Sequence, residues 1–212
     1  MTEPVDSSLQ QLAARFWSWR AQQQPRSRDD IPRLDRPGGW LPDWSPGAVG
    51  AYREQLSLFD GQLRGLDVSL APVEVQVDHA LVGSAIARVR WEMDVVAAWR
   101  RHPGFYVDQT IGVLFDRLVV PPPFGAVRGE EIVRTLRAVR SGLEQARSNL
   151  EGDVVEEFAK VTVAELAGIE EEVQACADAL VRELPPDLSD PLRTAAEDAG
   201  GALGSFREWL GS

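Results

Sequence analysis

The chain has 212 residues, of which 44% are hydrophobic and 26% are charged, and its formal net charge is −11. These proportions are ordinary for a globular protein and exclude a largely disordered chain. The length favours one domain over two. The acidic balance disfavours binding to nucleic acid, because like charges repel the phosphate backbone.

The cysteine content and the apolar runs predict a cytoplasmic protein. Cys176 is the only cysteine, so no internal disulfide can form, which fits a reducing compartment. Residues 1–6 are polar and acidic and lack the basic start and apolar stretch of a secretory signal. No apolar run approaches the roughly 18 residues that span a bilayer. We therefore expect no contact with a membrane.

Helical spacing of apolar residues dominates the first third of the chain. A first helix is predicted from near Ser7, where apolar residues recur at steps of three and four. Prolines and glycines then make 24–45 a long loop. Its tryptophans, Trp40 and Trp44, indicate that the loop packs onto the body of the protein and could line a cleft. Ser45 and the proline after it open a second helix as a cap and a first helical residue.

The third predicted helix, over 73–102, is apolar on two faces. A helix of this kind usually lies in the middle of its domain, covered on both sides. One face carries Val82, Ile86, Val89, Met93 and Val96, and the other carries Trp91, Val95 and Trp99.

Prolines divide the second half of the chain. Pro103 stops the third helix and starts a fourth, which the triple proline at 121–123 ends. A fifth helix over 129–150 and a sixth over 154–184 have apolar residues at alternating steps of three and four, which favours antiparallel packing. A seventh helix follows from about Ser189.

These elements predict an all-α fold. We expect an irregular bundle of about seven helices, with a long loop containing proline, glycine and tryptophan after the first helix. The bundle is predicted to be a single domain over 1–212, and the candidate hinge lies near 121–125.

Residue types that carry catalysis or hold metals are sparse. The two histidines are far apart and form no His-Glu-x-x-His pair, so a zinc site is not expected. His102 suits the negative end of a helix dipole. His79 beside Asp78 is either a base with its orienting carboxylate or a solvated helix start. Cys176, on an apolar seam, is interpreted as a small core residue. No catalytic residue, metal ligand or cofactor is predicted.

Five polar residues of the central helices are the best candidates for a site. They lie among large aromatic residues, where a polar group must be hydrogen-bonded or must face a cavity. Two of them are one helical turn apart and can form an ion pair. A structural network and the lining of a substrate cleft are both open interpretations. The five are Arg88, Glu92, Tyr106, Asp108 and Gln109.

The segment over 88–115, together with the chain that follows it up to residue 150, resembles the bacterial family called domain of unknown function 885. Its features are a tryptophan-acid pair, a Pro-Gly-Phe-Tyr helix start, a polyproline stop, and an amphipathic helix ending Leu-Glu-Gln-Ala-Arg-Ser-Asn-Leu. The early Phe-Trp-Ser-Trp-Arg and Leu-Pro-Asp-Trp-Ser-Pro segments are also similar to that family's opening. The similarity extends over almost all of the chain.

The resemblance implies an all-helical fold in a metallopeptidase context. Members of the family are mostly larger and resemble zinc metallopeptidases, with a His-Glu-x-x-His-type motif in the C-terminal part. This chain resembles only their N-terminal helical part, and none of its positions matches a metal ligand. The resemblance implies a non-catalytic domain that shapes a substrate cleft or docks to a catalytic partner. The alternative is a stand-alone helical interaction or small-ligand-binding protein that kept the fold without the chemistry.

Both interpretations require a surface that contacts another molecule. Helix faces adapted to pack against a further polypeptide would form a larger apolar patch than soluble monomers usually carry. We therefore expect a protein partner or self-association. The predicted cleft or partner surface comprises Arg88, Trp91, Glu92, Trp99, Tyr106, Asp108, Gln109, Phe206 and Trp209.

Overall fold

The computed structural model describes residues 5–26, 36–152 and 154–212. Most of these residues are helical and none of them lies in a strand, so the prediction of an all-α fold is confirmed. None of the helices in the described part is both long and apolar enough to cross a membrane. In chain order, the elements are α1 Val5–Gln23, α2 Pro46–Arg64, α3 Val73–Arg90, a π-helix Trp91–Val96, α4 Ala98–Arg101, α5 Pro103–Gln109, α6 Ile111–Leu118, α7 Ala126–Leu150, α8 Glu156–Glu165, α9 Ile169–Leu180, a 3₁₀ helix Pro186–Leu188 and α10 Ser189–Gly211.

The prediction of one continuous helix over 73–102 is wrong, because α3 runs into a π-helix. Ala97 ends the π-helix in the left-handed region, at a φ of 47°. Its backbone N–H donates to the Glu92 carbonyl five residues earlier, at 3.0 Å. This conformation crowds the alanine Cβ, and the spacing of apolar residues contains no signal for it.

The fourth and sixth predicted helices each divide in two. Thr110 separates α5 from α6, and its hydroxyl donates to the Tyr106 carbonyl at 2.7 Å, a bond that competes with regular helix geometry. Gly168 separates α8 from α9 at a φ of 78°, which glycine adopts without Cβ strain. Single residues of these types are tolerated within a helical pattern, so the apolar spacing predicted both helices as continuous.

The described residues form two compact units. The first unit contains α1, α2, α3 and the π-helix, and the second contains α5 to α10. Their described residues are 5–24, 36–37 and 46–98 in the first unit, and 25–26, 38–45, 99–152 and 154–212 in the second. The single domain and the hinge near 121–125 stay predictions, because a grouping of contacts does not measure whether the units unfold together.

An aromatic cluster joins α1 to α2 in the first unit. The Phe16 ring, which is fully buried, lies 5.5 Å from the Phe59 ring at an interplanar angle of 90°. The Trp19 ring lies 5.5 Å from Phe59 on the same side of α1. The edge-to-face contact of Phe16 with Phe59 stabilises the fold beyond the burial of apolar surface. The inner face of α3 packs near this cluster through contacts of α3 with α1 and α2.

The second unit is organised around α10, which packs against α7, α8 and α9. Leu192, Leu203 and Phe206 of α10 are fully buried. A Cβ added at Gly200 would lie 3.4 Å from the Glu170 Cα of α9, which is van der Waals contact, so α10 packs closely on α9 at this point. The predicted start of this helix at Ser189 is confirmed.

Trp44 confirms that part of the loop predicted over 24–45 packs onto a helix. Its side chain is 4% exposed and its ring centroid lies 4.9 Å from that of Phe105. Its backbone N–H donates to the Gln145 side chain at 2.9 Å, and its carbonyl accepts from the Asn149 side chain at 2.5 Å. These contacts lie within the second unit. Residues 27–35 of the loop lie outside the described residues.

Candidate functional site

The second apolar face of α3 is exposed, so the prediction of a helix covered on both sides is wrong. The inner residues Val82, Ile86 and Val89 are at most 6% exposed, and Met93 of the π-helix is 2% exposed. The large apolar side chains on the opposite side are more than half exposed. They are Val73 at 69%, Val77 at 51%, Leu81 at 62%, Trp91 at 55% and Val95 at 59%.

These exposed residues form a continuous strip, which we call the α3 outer face. At about 100° per residue, its members fall within an arc of roughly 80° around α3, with Ala80 just outside that arc. At about 1.5 Å per residue, the strip from Val73 to Trp91 is about 27 Å long. Apolar side chains stand at both ends, and the small exposed residues Ala80 and Ser84 lie between them. The outer face comprises Val73, Val77, Ala80, Leu81, Ser84, Arg88 and Trp91, and Val95 extends it into the π-helix.

A partly buried ion pair fixes the π-helix at one end of this face. Glu92 Oε2 lies 2.5 Å from an Arg20 guanidinium nitrogen of α1, and the Arg20 side chain is only 6% exposed. Arg20 also donates to Gln23 Oε1 at 2.6 Å. The predicted pair of Arg88 and Glu92 is present, with Arg88 Nε donating to Glu92 Oε1 at 3.0 Å. π-helices often occur at functional sites. A π-helix that these ion pairs hold in place therefore supports the outer face as a candidate binding surface.

Tyr106 lies in the second unit, where its hydroxyl serves a structural network. The hydroxyl donates to the Trp99 carbonyl at 2.5 Å and accepts from Asn149 Nδ2 at 2.7 Å. Burial raises the pKa of Tyr106 well above its ordinary value, and the hydrogen bond from Asn149 opposes that rise only in part. The hydroxyl therefore stays protonated and holds the start of α5 against α7.

Gln109 and Asp108 hold a neighbouring stretch of chain in the second unit. Gln109 makes two hydrogen bonds to the backbone of Arg26, accepting from its N–H and donating to its carbonyl, each at 2.7 Å. The Arg26 guanidinium lies 3.4 Å from Asp108 and 3.1 Å from Asp116. Of the two interpretations left open for these residues, the structural network is the one that the contacts support.

The predicted residues of the last helix lie at different depths. Phe206 is fully buried, so its ring belongs to the core of the second unit and offers no accessible surface. Trp209 is half-buried, stacks on Phe206 at 5.6 Å, and lies beneath the Arg147 guanidinium at 5.8 Å. Trp99 is also half-buried. The structure thus places only Arg88 and Trp91 of the predicted set in the α3 outer face, and Glu92 lies beside them in the π-helix, paired with Arg20.

Side chains that can bind metal ions are scattered in the part of the chain that the structure describes. The described residues contain no group of three or more His, Cys, Asp or Glu side chains placed to hold a metal ion. His79 Nε2 contacts the Leu63 carbonyl at 3.0 Å, and the His102 ring stacks on Phe158 at 4.3 Å. Cys176 is half-buried, and burial raises the pKa of its thiol. A raised thiol pKa disfavours the thiolate that binds metals.

A polar groove of about 390 Å³ runs between α1 and α2 in the first unit. The Arg15 guanidinium at its edge donates to Gln62 Oε1 at 2.9 Å. Side-chain amides, one hydroxyl and two aromatic residues line it together with this arginine. The lining residues are Arg15, Ser18, Trp19, Gln22, Gln55, Phe59 and Gln62.

Two features of the site were not found from the sequence. The exposed Val73, Val77 and Leu81 do carry a signal, because they recur at steps of four along α3. The contact of Arg20 with Glu92 leaves no signal in the sequence, because no sequence spacing relates residues from separate helices.

Comparison with protein-family models, with curated proteins and with solved structures finds no match to this chain.

Proposed function

We propose that this chain is a non-catalytic helical protein that acts by docking to another polypeptide through the α3 outer face. The observation that supports this is the exposure of Val77, Leu81 and Trp91 along one side of a helix whose other side is buried. Burial of apolar surface is worth about 25 cal/mol per Å², so a strip of this kind favours association with a complementary apolar surface.

The rigidity of the outer face also favours docking. Its helix is held from behind by the buried Val82, Ile86 and Val89, and the π-helix is held by the Arg20–Glu92 ion pair. A preorganised surface loses little conformational freedom on binding, so more of the contact energy appears as affinity. Tryptophan and arginine are enriched among the residues that dominate binding energy at interfaces. Trp91 and Arg88 are therefore the expected anchors.

The similarity to domain of unknown function 885 supplies a context for this proposal. In that context the chain would dock to a catalytic partner or help to shape its substrate cleft. The single cysteine supports a cytoplasmic setting. The net charge of −11 supports a protein partner over nucleic acid.

Binding of a small polar ligand is the second candidate function, and the groove between α1 and α2 supports it. Its volume lies within the roughly 300 to 1,000 Å³ of small-molecule sites. Arginine and amide groups beside aromatic residues suit a ligand with carboxylate or hydroxyl groups. Docking remains the better-supported function, because Arg15 and Gln62 in the groove already bind one another.

Hydrophobic interaction chromatography of dilute protein tests the docking surface. Leu81→Glu should reduce retention strongly, because it places a carboxylate one turn from the exposed Val77, in the apolar N-terminal half of the α3 outer face. Leu58→Glu on α2 is the matched control, since Leu58 is 56% exposed and Leu81 is 62% exposed. The residues one turn from Leu58, Glu54 and Gln62, are polar, so this change should reduce retention much less. Equal losses in the two variants would contradict a continuous docking strip.

A further inference from the structure

We propose that the polypeptide that occupies the α3 outer face is a second copy of this chain. The two α3 helices would pack antiparallel, related by a two-fold axis that passes near Ser84. This inference rests on the proposed docking function and names its partner. It follows from the arrangement of apolar, small and charged side chains along the face.

The outer face is close to symmetric about Ser84, in the middle of the strip. Val77 and Trp91 each lie seven residues from Ser84 (84 − 77 = 7 and 91 − 84 = 7). In an antiparallel pair, Val77 of one copy therefore lies opposite Trp91 of the other. Both side chains are more than half exposed in the single chain, and the pairing buries both. The two apolar ends of the face thus cover each other.

Small residues near the axis allow the helices to approach closely. Ser84 lies on the axis and Ala80 lies one turn away, and both are exposed. Two helices cross at about 8 to 10 Å between their axes, and the smaller distances require small side chains at the crossing. The middle of the face, which is the least apolar part of the strip, therefore suits the centre of such a crossing.

Charge favours the antiparallel over the parallel arrangement. Asp78 lies in the N-terminal half of α3 and Arg88 in its C-terminal half, and both are exposed. In the antiparallel pair, Arg88 lies opposite residue 80 of the other copy, about 3 Å along the axis from Asp78. At about 100° per residue, Asp78 lies about 60° outside the arc of the outer face, on the flank nearer to Arg88, and the long arginine side chain can extend toward it. In a parallel pair Arg88 would face Arg88, which is repulsive.

The remaining charges near the face are compatible with this pairing. Glu74 lies at the level of Asp94 of the other copy, and that carboxylate is held by Arg53 at 2.6 Å. Glu92 is held by both Arg20 and Arg88. A two-fold interface places the same residues of the two copies against each other, so Arg88 of each copy comes near Asp78 of the other.

Disulfide cross-linking tests the pairing in a Cys176→Ser background, which removes the natural thiol. Ser84→Cys should give a cross-linked dimer on mild oxidation, because the two copies of residue 84 meet at the axis. Val77→Cys is the matched control on the same face. In the antiparallel pair, residue 77 of the other copy would lie opposite residue 91. The two cysteines would therefore be 14 residues apart (91 − 77 = 14), about 21 Å along the axis, which is beyond the reach of a disulfide. Both positions are exposed, so both variants should keep the helical circular dichroism spectrum.

Sedimentation equilibrium of the unmodified chain completes the test. We expect a mass that rises with concentration from 23.4 kDa toward twice that value, and a monomer for Leu81→Glu. Cross-linking through Val77→Cys, or no cross-linking through Ser84→Cys, would overturn the antiparallel pair, as would a dimer that survives Leu81→Glu. If the chain is monomeric and Leu81→Glu still lowers its column retention, pairing with a second copy is overturned and docking to a different polypeptide stands. If the chain is monomeric and Leu81→Glu does not change its retention, both the pairing and the docking function are overturned.

Discussion

Replacing Glu92 with alanine should lower the free energy of unfolding by about 3 kcal/mol. The change removes a carboxylate from Arg20, whose side chain is 6% exposed, so a buried positive charge loses one carboxylate partner. The Glu92 side chain is 25% exposed, which keeps the expected loss near the lower end for a buried pair. Urea denaturation followed by circular dichroism measures this loss.

Arg88→Ala is the control for this prediction. It also removes a hydrogen bond to Glu92, but the Arg88 side chain is 79% exposed, so the loss should be below about 1 kcal/mol. Replacing both Arg20 and Glu92 with methionine should recover part of the stability lost in Glu92→Ala, because no buried charge is then left uncompensated. Equal losses in Glu92→Ala and Arg88→Ala would contradict a buried role for the Arg20 pair.

Phe206→Ala should lower the free energy of unfolding by about 4 kcal/mol. Phe206 is fully buried on α10, and the substitution removes most of a large ring from a closely packed interior. The same urea experiment measures the loss. Trp209→Ala, at the half-buried neighbouring ring, should cost less. If Phe206→Ala left stability unchanged, the ring would not be a core group, and its predicted place in a partner surface would be restored.

These two substitutions lie in different units and so bear on the prediction of a single domain. If 1–212 unfolds as one domain, Glu92→Ala and Phe206→Ala should shift the same single transition. If the units unfold separately, each variant should shift only one of two transitions.

Local rules were sufficient to predict the fold class and several helix ends. Pro46 begins α2 and Pro103 begins α5 where proline suits a first helical position, and α7 ends at Leu150, the last residue of its apolar pattern. The interruptions were not predicted. Gly168 and Ala97 adopt positive φ angles, and such angles are selected by packing around the chain, which the spacing of apolar residues does not describe.

The candidate site could be predicted only in part, for a related reason. Both apolar faces of α3 are visible in the sequence, but the choice of the covered face depends on where α1 and α2 pack. Arg20 and Glu92 are 72 residues apart, so their contact is tertiary and leaves no local pattern. Phe206 and Trp209 share one apolar helix, and only packing against α7 to α9 decides that Phe206 is the more deeply buried.

Oxidative footprinting of Trp91 tests the proposed docking surface most directly, with Trp17 as an internal reference in the same unit. In dilute protein, hydroxyl radicals should oxidise both rings to similar extents, since Trp91 is 55% exposed and Trp17 is 50% exposed. As the concentration rises through association, we expect oxidation of Trp91 to fall several-fold while oxidation of Trp17 stays constant. A Trp91 ring that remains as reactive as Trp17 at every concentration would contradict self-association through the α3 outer face.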